Sequence, residues 1–217
     1  MYYALIGDMI ASKKLPKPRR VQAQEKLSSA LASVNAGFEG QIAAKFLITL
    51  GDECQGLMLS PGDPVAAALE IMHQMRPFGI RFAIGMGGMD TPIDPNAAIG
   101  ADGEAFHRAR ACIEGMKARH FARLRFATGD PDADEALNTV AALCDRLSLG
   151  WTDKQEALVH AMLTARFSGR KLTQAELGAA SGVGQSTVNT QLSAAGFNEY
   201  SAGMLYIRRL LSNGKGE

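Results

Sequence analysis

The sequence predicts an α+β protein, in which a ferredoxin-like βαββαβ domain precedes an all-α helix-turn-helix domain. Strand-like and helix-like patterns follow one another through residues 1–126, and only helical patterns occur after residue 150. A loop rich in Gly, Pro and Asp interrupts the chain at 127–134. We therefore expect domains at 1–126 and 150–217, joined by a linker and connecting helix at 127–149.

Four strands and two helices are predicted in the first domain. Apolar residues run together or alternate with other residues at 2–6, 42–50, 55–59 and 80–86, which predicts strands. Helical spacing predicts a helix through 21–34 and another after Asp63-Pro64, where Asp is an N-cap and Pro suits the first turn. The resulting order is that of the split βαβ unit.

Helix-start signals define the second domain. Thr152 with Gln155 and Thr173 with Glu176 are capping boxes, each of which predicts a helix start. A turn at 181–184 precedes a helix predicted over 185–195, and a last helix is predicted over 204–211.

Composition excludes several classes of protein. The 217 residues are 47% hydrophobic and 21% charged with a net charge of +1, which excludes a largely disordered chain and a uniformly basic nucleic-acid coat. Its three cysteines, Cys54, Cys112 and Cys144, lack metal-site spacing, so we expect free thiols in a reducing compartment. Without an apolar run of membrane-spanning length or a leader-like start, we expect a cytoplasmic protein with no membrane partner.

Acidic residues follow or join predicted strands at two places. Asp8 closes strand one, and Asp52 and Glu53 lie in the hairpin between strands two and three. Strands one and three are central neighbours in a ferredoxin-like sheet, so Asp8 and Asp52 are expected to converge. Paired carboxylates with open positions suit Mg²⁺ or Mn²⁺ carrying a phosphate. The simpler alternative is that Asp8 caps a loop and Gly51-Asp52 is only a turn.

A basic loop follows strand one. Five residues of this loop are candidates for holding phosphate, with a solvated basic loop as the alternative: Ser12, Lys13, Lys14, Arg19 and Arg20.

The first domain resembles class III nucleotidyl cyclases. Leu5–Ile10 resembles their first metal-binding strand, and Ile48–Glu53 resembles their second metal-carboxylate hairpin. This resemblance implies a cyclase-like palm with metal ligands at Asp8, Asp52 and Glu53, and it makes Arg108 and Arg110 candidates for transition-state residues. Ile48 stands where many purine cyclases have a base-reading lysine, which favours nucleotide binding over ordinary cyclase activity.

Over nearly its whole length the sequence resembles the SatD family of small bacterial proteins. The resemblance is carried by Gly7–Lys13, by Gly51-Asp52-Glu53 and by the helix-turn-helix at 173–192. It implies the same two-part architecture.

The segment 173–192 resembles the helix-turn-helix of repressors and sigma factors. Leu177, Val188 and Leu192 are expected to face the core. The side chains expected to face solvent are short amides and hydroxyls, which suit base edges and phosphates: Gln185, Ser186, Thr187, Asn189, Thr190 and Gln191. That helix has no Lys or Arg, so the charge that DNA phosphates require is expected to come from nearby residues: Arg166, Arg170, Lys171, Arg208 and Arg209. The alternative is a helical bundle used for protein contact.

These observations predict a DNA-binding regulator, homodimeric because such readers usually grip two half-sites, whose palm senses a metal ion and a nucleotide or other phosphate-bearing molecule. One alternative is a Mg²⁺- or Mn²⁺-dependent enzyme acting on nucleoside triphosphates. Another is a degenerate palm that serves only as a protein-interaction module.

Overall fold

A computed structural model describes residues 1–60, 62–119 and 122–213. The chain forms two compact units, residues 1–139 and 140–217. The predicted linker region contains α4 (Pro131–Ser148), and the division between the units falls within this helix. The last four residues of the predicted helix-turn-helix domain lie outside the described ranges.

The first unit is built on a mixed sheet whose described strands have the order β2-β3-β1-β4-β5. These strands are β1 (Tyr2–Met9), β2 (Ile42–Leu50), β3 (Glu53–Leu59), β4 (Ile80–Gly87) and β5 (Leu124–Ala127). The first four are antiparallel neighbours in the order of a ferredoxin-like unit, which confirms the predicted topology. β5 adds a parallel strand beside β4.

Three helices of this unit pack against the sheet. They are α1 (Lys17–Gly37), α2 (Pro64–Gln74) and α3 (Glu104–Arg119). α1 and α2 pack together, whereas α3 packs on β1, β4 and β5. Asp63 accepts a hydrogen bond from the Ala66 amide at 3.0 Å, so the predicted N-cap of α2 is confirmed.

Strand alternation sorts side chains between the two faces of the sheet. Ala4 and Ile6 of β1 and Leu57 of β3 belong to the core that includes Ile113 of α3. A Cβ on Gly85 of β4 would lie 2.1 Å from the Ala105 carbonyl oxygen, so glycine allows α3 to lie this close to the strand. This close packing brings the α3 side chains over the ends of β1 and β3.

Each edge strand of the sheet accepts and donates backbone hydrogen bonds with the side chain of an asparagine from a helix. Asn35 of α1 donates to the Phe46 carbonyl oxygen at 2.9 Å and accepts from the Phe46 amide at 2.8 Å. Asn138 of α4 makes the same two contacts with Phe126 of β5, both at 2.9 Å. Backbone groups that an edge strand leaves without a ladder partner are satisfied by side chains at these two positions.

The second unit is helical in its described part. It contains the C-terminal part of α4, α5 (Asp153–Phe167), α6 (Gln174–Ala180), α7 (Gln185–Ala194) and α8 (Phe197–Asn213). Both predicted capping boxes are present, Thr152 with Gln155 and Thr173 with Glu176. Trp151 donates to the Ala195 carbonyl oxygen at 2.8 Å and its ring meets that of Tyr200 edge-on.

Several predicted boundaries are wrong. β1 continues through Asp8 to Met9, because its antiparallel pairing extends to Asp8 with β3 and to Met9 with β4. The segment 124–127 is a strand that the sequence analysis missed, since four residues, one of them Arg125, give too short a pattern for detection. α8 begins at Phe197, seven residues before its predicted start.

Candidate functional site

The ends of β1, β3 and β4 carry an ionic cluster beneath α3. Asp8 lies opposite Glu53 on one side and opposite Arg81 on the other, so all three side chains share a face. Asp8 Oδ2 lies 3.1 Å from Arg81 Nε, and Asp8 Oδ1 lies 2.9 Å from Lys117 Nζ. Lys117 Nζ is also 3.4 Å from Glu53 Oε2.

Arg110 completes this strand-end cluster, which consists of Asp8, Glu53, Arg81, Arg110 and Lys117. Arg110 forms an ion pair with Glu53. Its other terminal nitrogen lies 3.4 Å from Gln55 Oε1. Three cations thus surround two carboxylates that are each about a tenth exposed.

The contacts within the cluster combine charge attraction with hydrogen bonding. Arg81 Nε is within ion-pair distance of Asp8 but makes no hydrogen bond within the described part of the chain. Burial would lower the pKa of Lys117, but the hydrogen bond and charge of Asp8, with the charge of Glu53, raise that pKa above its ordinary value. Lys117 is therefore a cation throughout the physiological pH range.

A separate cleft lies where the loop after β1 meets the β2–β3 hairpin. This loop cleft has a volume of about 180 Å³ and is lined by Met9, Ser12, Lys13, Arg20, Gln24, Gly51 and Asp52. Ser12 donates a hydrogen bond to Asp52 Oδ2, and Gln24 Nε2 donates to the Gly51 carbonyl oxygen at 2.8 Å. The two loops and α1 are thereby held together around one opening.

The backbone of both loops is specialised for this arrangement. Gly51 has φ +57°, a left-handed conformation that glycine adopts freely. Ala11 has φ 56°, which costs an alanine conformational energy. The Met9 amide donates to the Asp52 carbonyl oxygen at 3.0 Å and ties the end of β1 to the hairpin.

The acidic residues singled out from sequence have different side-chain partners. Asp8 and Glu53 share Lys117, whereas Asp52 accepts from Ser12 in the loop cleft. The reason is local: β3 begins at Glu53, whose side chain faces α3 as Asp8 does, while Asp52 lies in the preceding turn. Ser12, Lys13 and Asp52, by contrast, line one cleft.

Metal binding at Asp8, Asp52 and Glu53 stays a prediction. Among the described residues, no group of three His, Cys, Asp or Glu side chains is arranged to hold a metal ion. Both oxygens of Asp8 already face cationic side chains, so a divalent ion at Asp8 would have to displace Arg81 or Lys117.

The two arginine candidates for a catalytic role have different surroundings. Arg108 donates to the Met86 and Thr128 carbonyl oxygens at 2.6 and 2.9 Å and pairs with Glu104 at 2.5 Å. The Arg108 guanidinium therefore makes its hydrogen bonds and its ion pair within the protein. Arg110 is 42% exposed and belongs to the strand-end cluster.

Three side chains that contribute polar groups to these two sites were not among the predicted site residues: Arg81, Lys117 and Gln24. A signal was present in helix spacing. Lys117 follows Arg110 by seven residues, which places the two on one face of α3. Gln24 follows Arg20 by four residues, which does the same on α1.

The second unit presents α7 with one buried side. Val188 and Leu192 are buried, while Gln185, Ser186, Asn189 and Thr190 are exposed and Thr187 and Gln191 are half-buried. Gly182 has φ +67° in the turn before α7, and a Cβ on Gly178 would lie 2.7 Å from the Val183 carbonyl oxygen. Gly178 therefore allows the close approach of α6 to the start of α7, and Gly182 provides the left-handed turn between them.

The arginines of α8 are held by aromatic neighbours. The Arg208 guanidinium lies 4.0 Å from the Phe167 ring centroid and donates to the Phe167 carbonyl oxygen at 3.3 Å. Arg209 is exposed, 5.3 Å from the Tyr206 ring centroid.

The fold and the two sites define an α+β protein with a ferredoxin-like sheet unit and a helical unit. The chain belongs to the SatD family, whose model matches residues 2–209. No curated protein matches it. A structure described as that of a bacterial light-regulated adenylyl cyclase is similar over 58% of this chain and 74% of that chain, with 19% identity and a TM-score of 0.38. Similarity of this degree supports no argument about activity.

No described helix is both long and apolar enough to cross a membrane.

Proposed function

We propose that this SatD-family chain is a DNA-binding transcriptional regulator whose N-terminal unit senses a phosphate-bearing small molecule. The observation that carries the proposal is α7: its buried side holds Val188 and Leu192, and its exposed side presents amide and hydroxyl groups. Gln185 and Asn189 lie four residues apart on that exposed side, and amide side chains pair well with adenine edges in the major groove.

Phosphate contacts require cations outside α7. Arg170 and Lys171 are exposed just before α6, and Arg209 is exposed on α8. Arg208 also contributes positive charge, although its stacking on Phe167 gives it a structural role as well. Because such contacts release counterions, DNA affinity is expected to fall steeply as salt rises.

The sensing role is supported by the loop cleft. Lys13 and Arg20 at its rim make no ion pair with a described carboxylate, which leaves two cations available to an anionic ligand. Mg²⁺ or Mn²⁺ remains a proposed companion of that ligand, bound through Asp52.

Dimerisation is part of the proposal, because two copies of α7 would read two half-sites. Light scattering of the free chain and of its DNA complex measures the number of copies in each.

Selection from a pool of random-sequence duplexes, followed by gel-shift titration at 50 and 200 mM salt, tests DNA binding. Gln185→Ala with Asn189→Ala should remove sequence preference and leave affinity for unselected duplexes. Arg170→Gln with Lys171→Gln should weaken binding to all sequences alike. Ser193→Ala, also exposed on α7 but outside the predicted reading face, is the matched control. If no duplex is retained even at 50 mM salt, the DNA-binding proposal fails.

Incubation with each nucleoside triphosphate and Mn²⁺ separates sensing from catalysis. Absence of turnover is the expected result. Turnover that Asp52→Asn abolishes would replace the sensing role with an enzymatic one.

A further inference from the structure

We infer that the loop cleft binds a phosphorylated sugar of monophosphate size, with Lys13 and Arg20 on the phosphoryl group and Asp52 and Gln24 on the sugar hydroxyls. This inference rests on the proposed sensing function and names the chemical class of its ligand.

The charges in the cleft favour a ligand with an anionic end and a hydroxyl end. Lys13 and Arg20 outnumber the single carboxylate, Asp52, by two to one. A phosphoryl dianion matches the two cations through charge-assisted hydrogen bonds. The same dianion would be repelled by Asp52, so the part of the ligand next to Asp52 must be neutral.

Asp52 and Gln24 retain the hydrogen-bonding capacity that hydroxyl groups need. Asp52 Oδ2 accepts from Ser12, whereas Oδ1 has no hydrogen-bond donor within the described part of the chain. Gln24 uses one N–H on the Gly51 carbonyl oxygen, which leaves its second N–H and its side-chain oxygen. An ionised carboxylate accepts only, and an amide both donates and accepts; a sugar diol satisfies both.

The size of the cleft favours a small ligand. Its volume of about 180 Å³ is smaller than the roughly 300–1,000 Å³ of typical small-molecule pockets. That volume accommodates a phosphoryl group and one sugar ring. A nucleoside triphosphate would leave either its base or most of its phosphate chain outside.

The chain supplies the positive charge itself, so binding does not require a divalent cation. Lys13 and Arg20 lie beside Lys14 and Arg19, which do not line the cleft. Arg19 instead lies over the Phe78 ring, 5.1 Å from its centroid. Lys14 and Arg19 thus provide controls of the same charge, one residue away from each proposed ligand-binding cation.

Calorimetric titration of the full chain with ribose 5-phosphate, inorganic phosphate, ribose and ATP, each with EDTA and with Mg²⁺, tests the inference. Ribose 5-phosphate should bind with or without EDTA, and more tightly than phosphate. Lys13→Gln and Arg20→Gln should each lower its affinity about tenfold, as loss of one charge-assisted hydrogen bond predicts. Lys14→Gln and Arg19→Gln should leave it unchanged.

Asp52→Asn distinguishes hydroxyl recognition from metal ligation. It should raise the affinity for inorganic phosphate, since a repelling charge is lost, and reduce the preference for ribose 5-phosphate. Binding of ATP only with Mg²⁺, abolished by Asp52→Asn, would overturn this inference and leave the sensing proposal intact. If none of the phosphorylated compounds binds, both the inference and the sensing proposal fail.

Discussion

The strand-end cluster and the loop cleft both lie near the end of β1 and the β2–β3 hairpin, but they use charge in opposite ways. In the cluster, Asp8 and Glu53 are nearly buried and each faces two cationic side chains. In the cleft, Lys13 and Arg20 are exposed and pair with no described carboxylate. Charges neutralised inside the chain hold α3 on the sheet, whereas charges left at a surface opening are available to a ligand.

The largest expected effect tests whether the strand end around the cluster is closed. Burial raises the pKa of the Cys54 thiol to about 12; a backbone contact with Gly7 opposes this, and the charges of Glu53 and Asp8 add to it. At pH 8 its thiolate fraction is then about a thousandfold below that of a thiol with the ordinary value. With Cys112→Ser and Cys144→Ser in place, a thiol reagent should label Cys54 at least about a thousandfold more slowly in the folded chain than in urea, because the buried thiol is also out of reach of the reagent.

The same shift has a consequence for stability. The folded-state pKa of Cys54 lies above the unfolded value of 9.0, so its contribution is complete below pH 9 and is lost as pH rises towards 12. The free energy of unfolding should therefore fall over that range. Labelling of the folded chain as fast as that of the unfolded chain would show that the strand end opens readily.

A smaller effect is expected from removing the central carboxylate of the cluster. Asp8→Asn leaves Arg81, whose side chain is 14% exposed, without its counterion. Breaking a buried ion pair in this way should lower the free energy of unfolding by about 3 kcal/mol, measured by urea denaturation at pH 7. Asp90→Asn, at an exposed loop position, should change it by less than about 0.5 kcal/mol.

Ligand binding by the Asp8→Asn variant sharpens the same comparison. Ribose 5-phosphate affinity should be that of the unaltered chain wherever the variant is folded. Unchanged stability together with loss of ligand binding would instead assign Asp8 to the binding site, as the predicted metal pair requires.

The smallest effects on stability are expected in the cleft. Lys13→Gln should change the free energy of unfolding by less than about 0.5 kcal/mol, because exposed charges contribute little. Raising salt from 0.05 to 0.5 M should weaken ribose 5-phosphate binding several-fold, since the exposed cations are screened. The stability difference between the unaltered chain and Asp8→Asn should change much less over that range, and an equal salt dependence would contradict the distinction between the two sites.

Local signals in the sequence predicted most of the elements that position these sites. The βαββαβ order, the Asp63 N-cap and the two capping boxes depend on residues close in sequence, and all are present. β5 was missed because its pairing with β4 is a tertiary contact, which a segment of four residues does not predict.

The side-chain partners of the acidic residues were harder to predict than their location. The sequence placed Asp8 near the hairpin, and the Asp8–Glu53 register agrees with that. Which acidic residue of the hairpin faces Asp8 depends on where β3 begins, and a shift of one residue reverses the face. The cations above Asp8 come from α3 and β4, so no local pattern around Asp8 could reveal them.

The asparagines that hydrogen-bond to the edge strands limit how this protein can associate with other chains by strand pairing. Asn35 and Asn138 occupy the backbone groups of Phe46 and Phe126 that an incoming peptide would otherwise engage. An extended segment from another molecule would have to displace an amide side chain before joining either border as a sixth strand. Growth into fibrils by border-to-border addition is opposed at these two positions for the same reason.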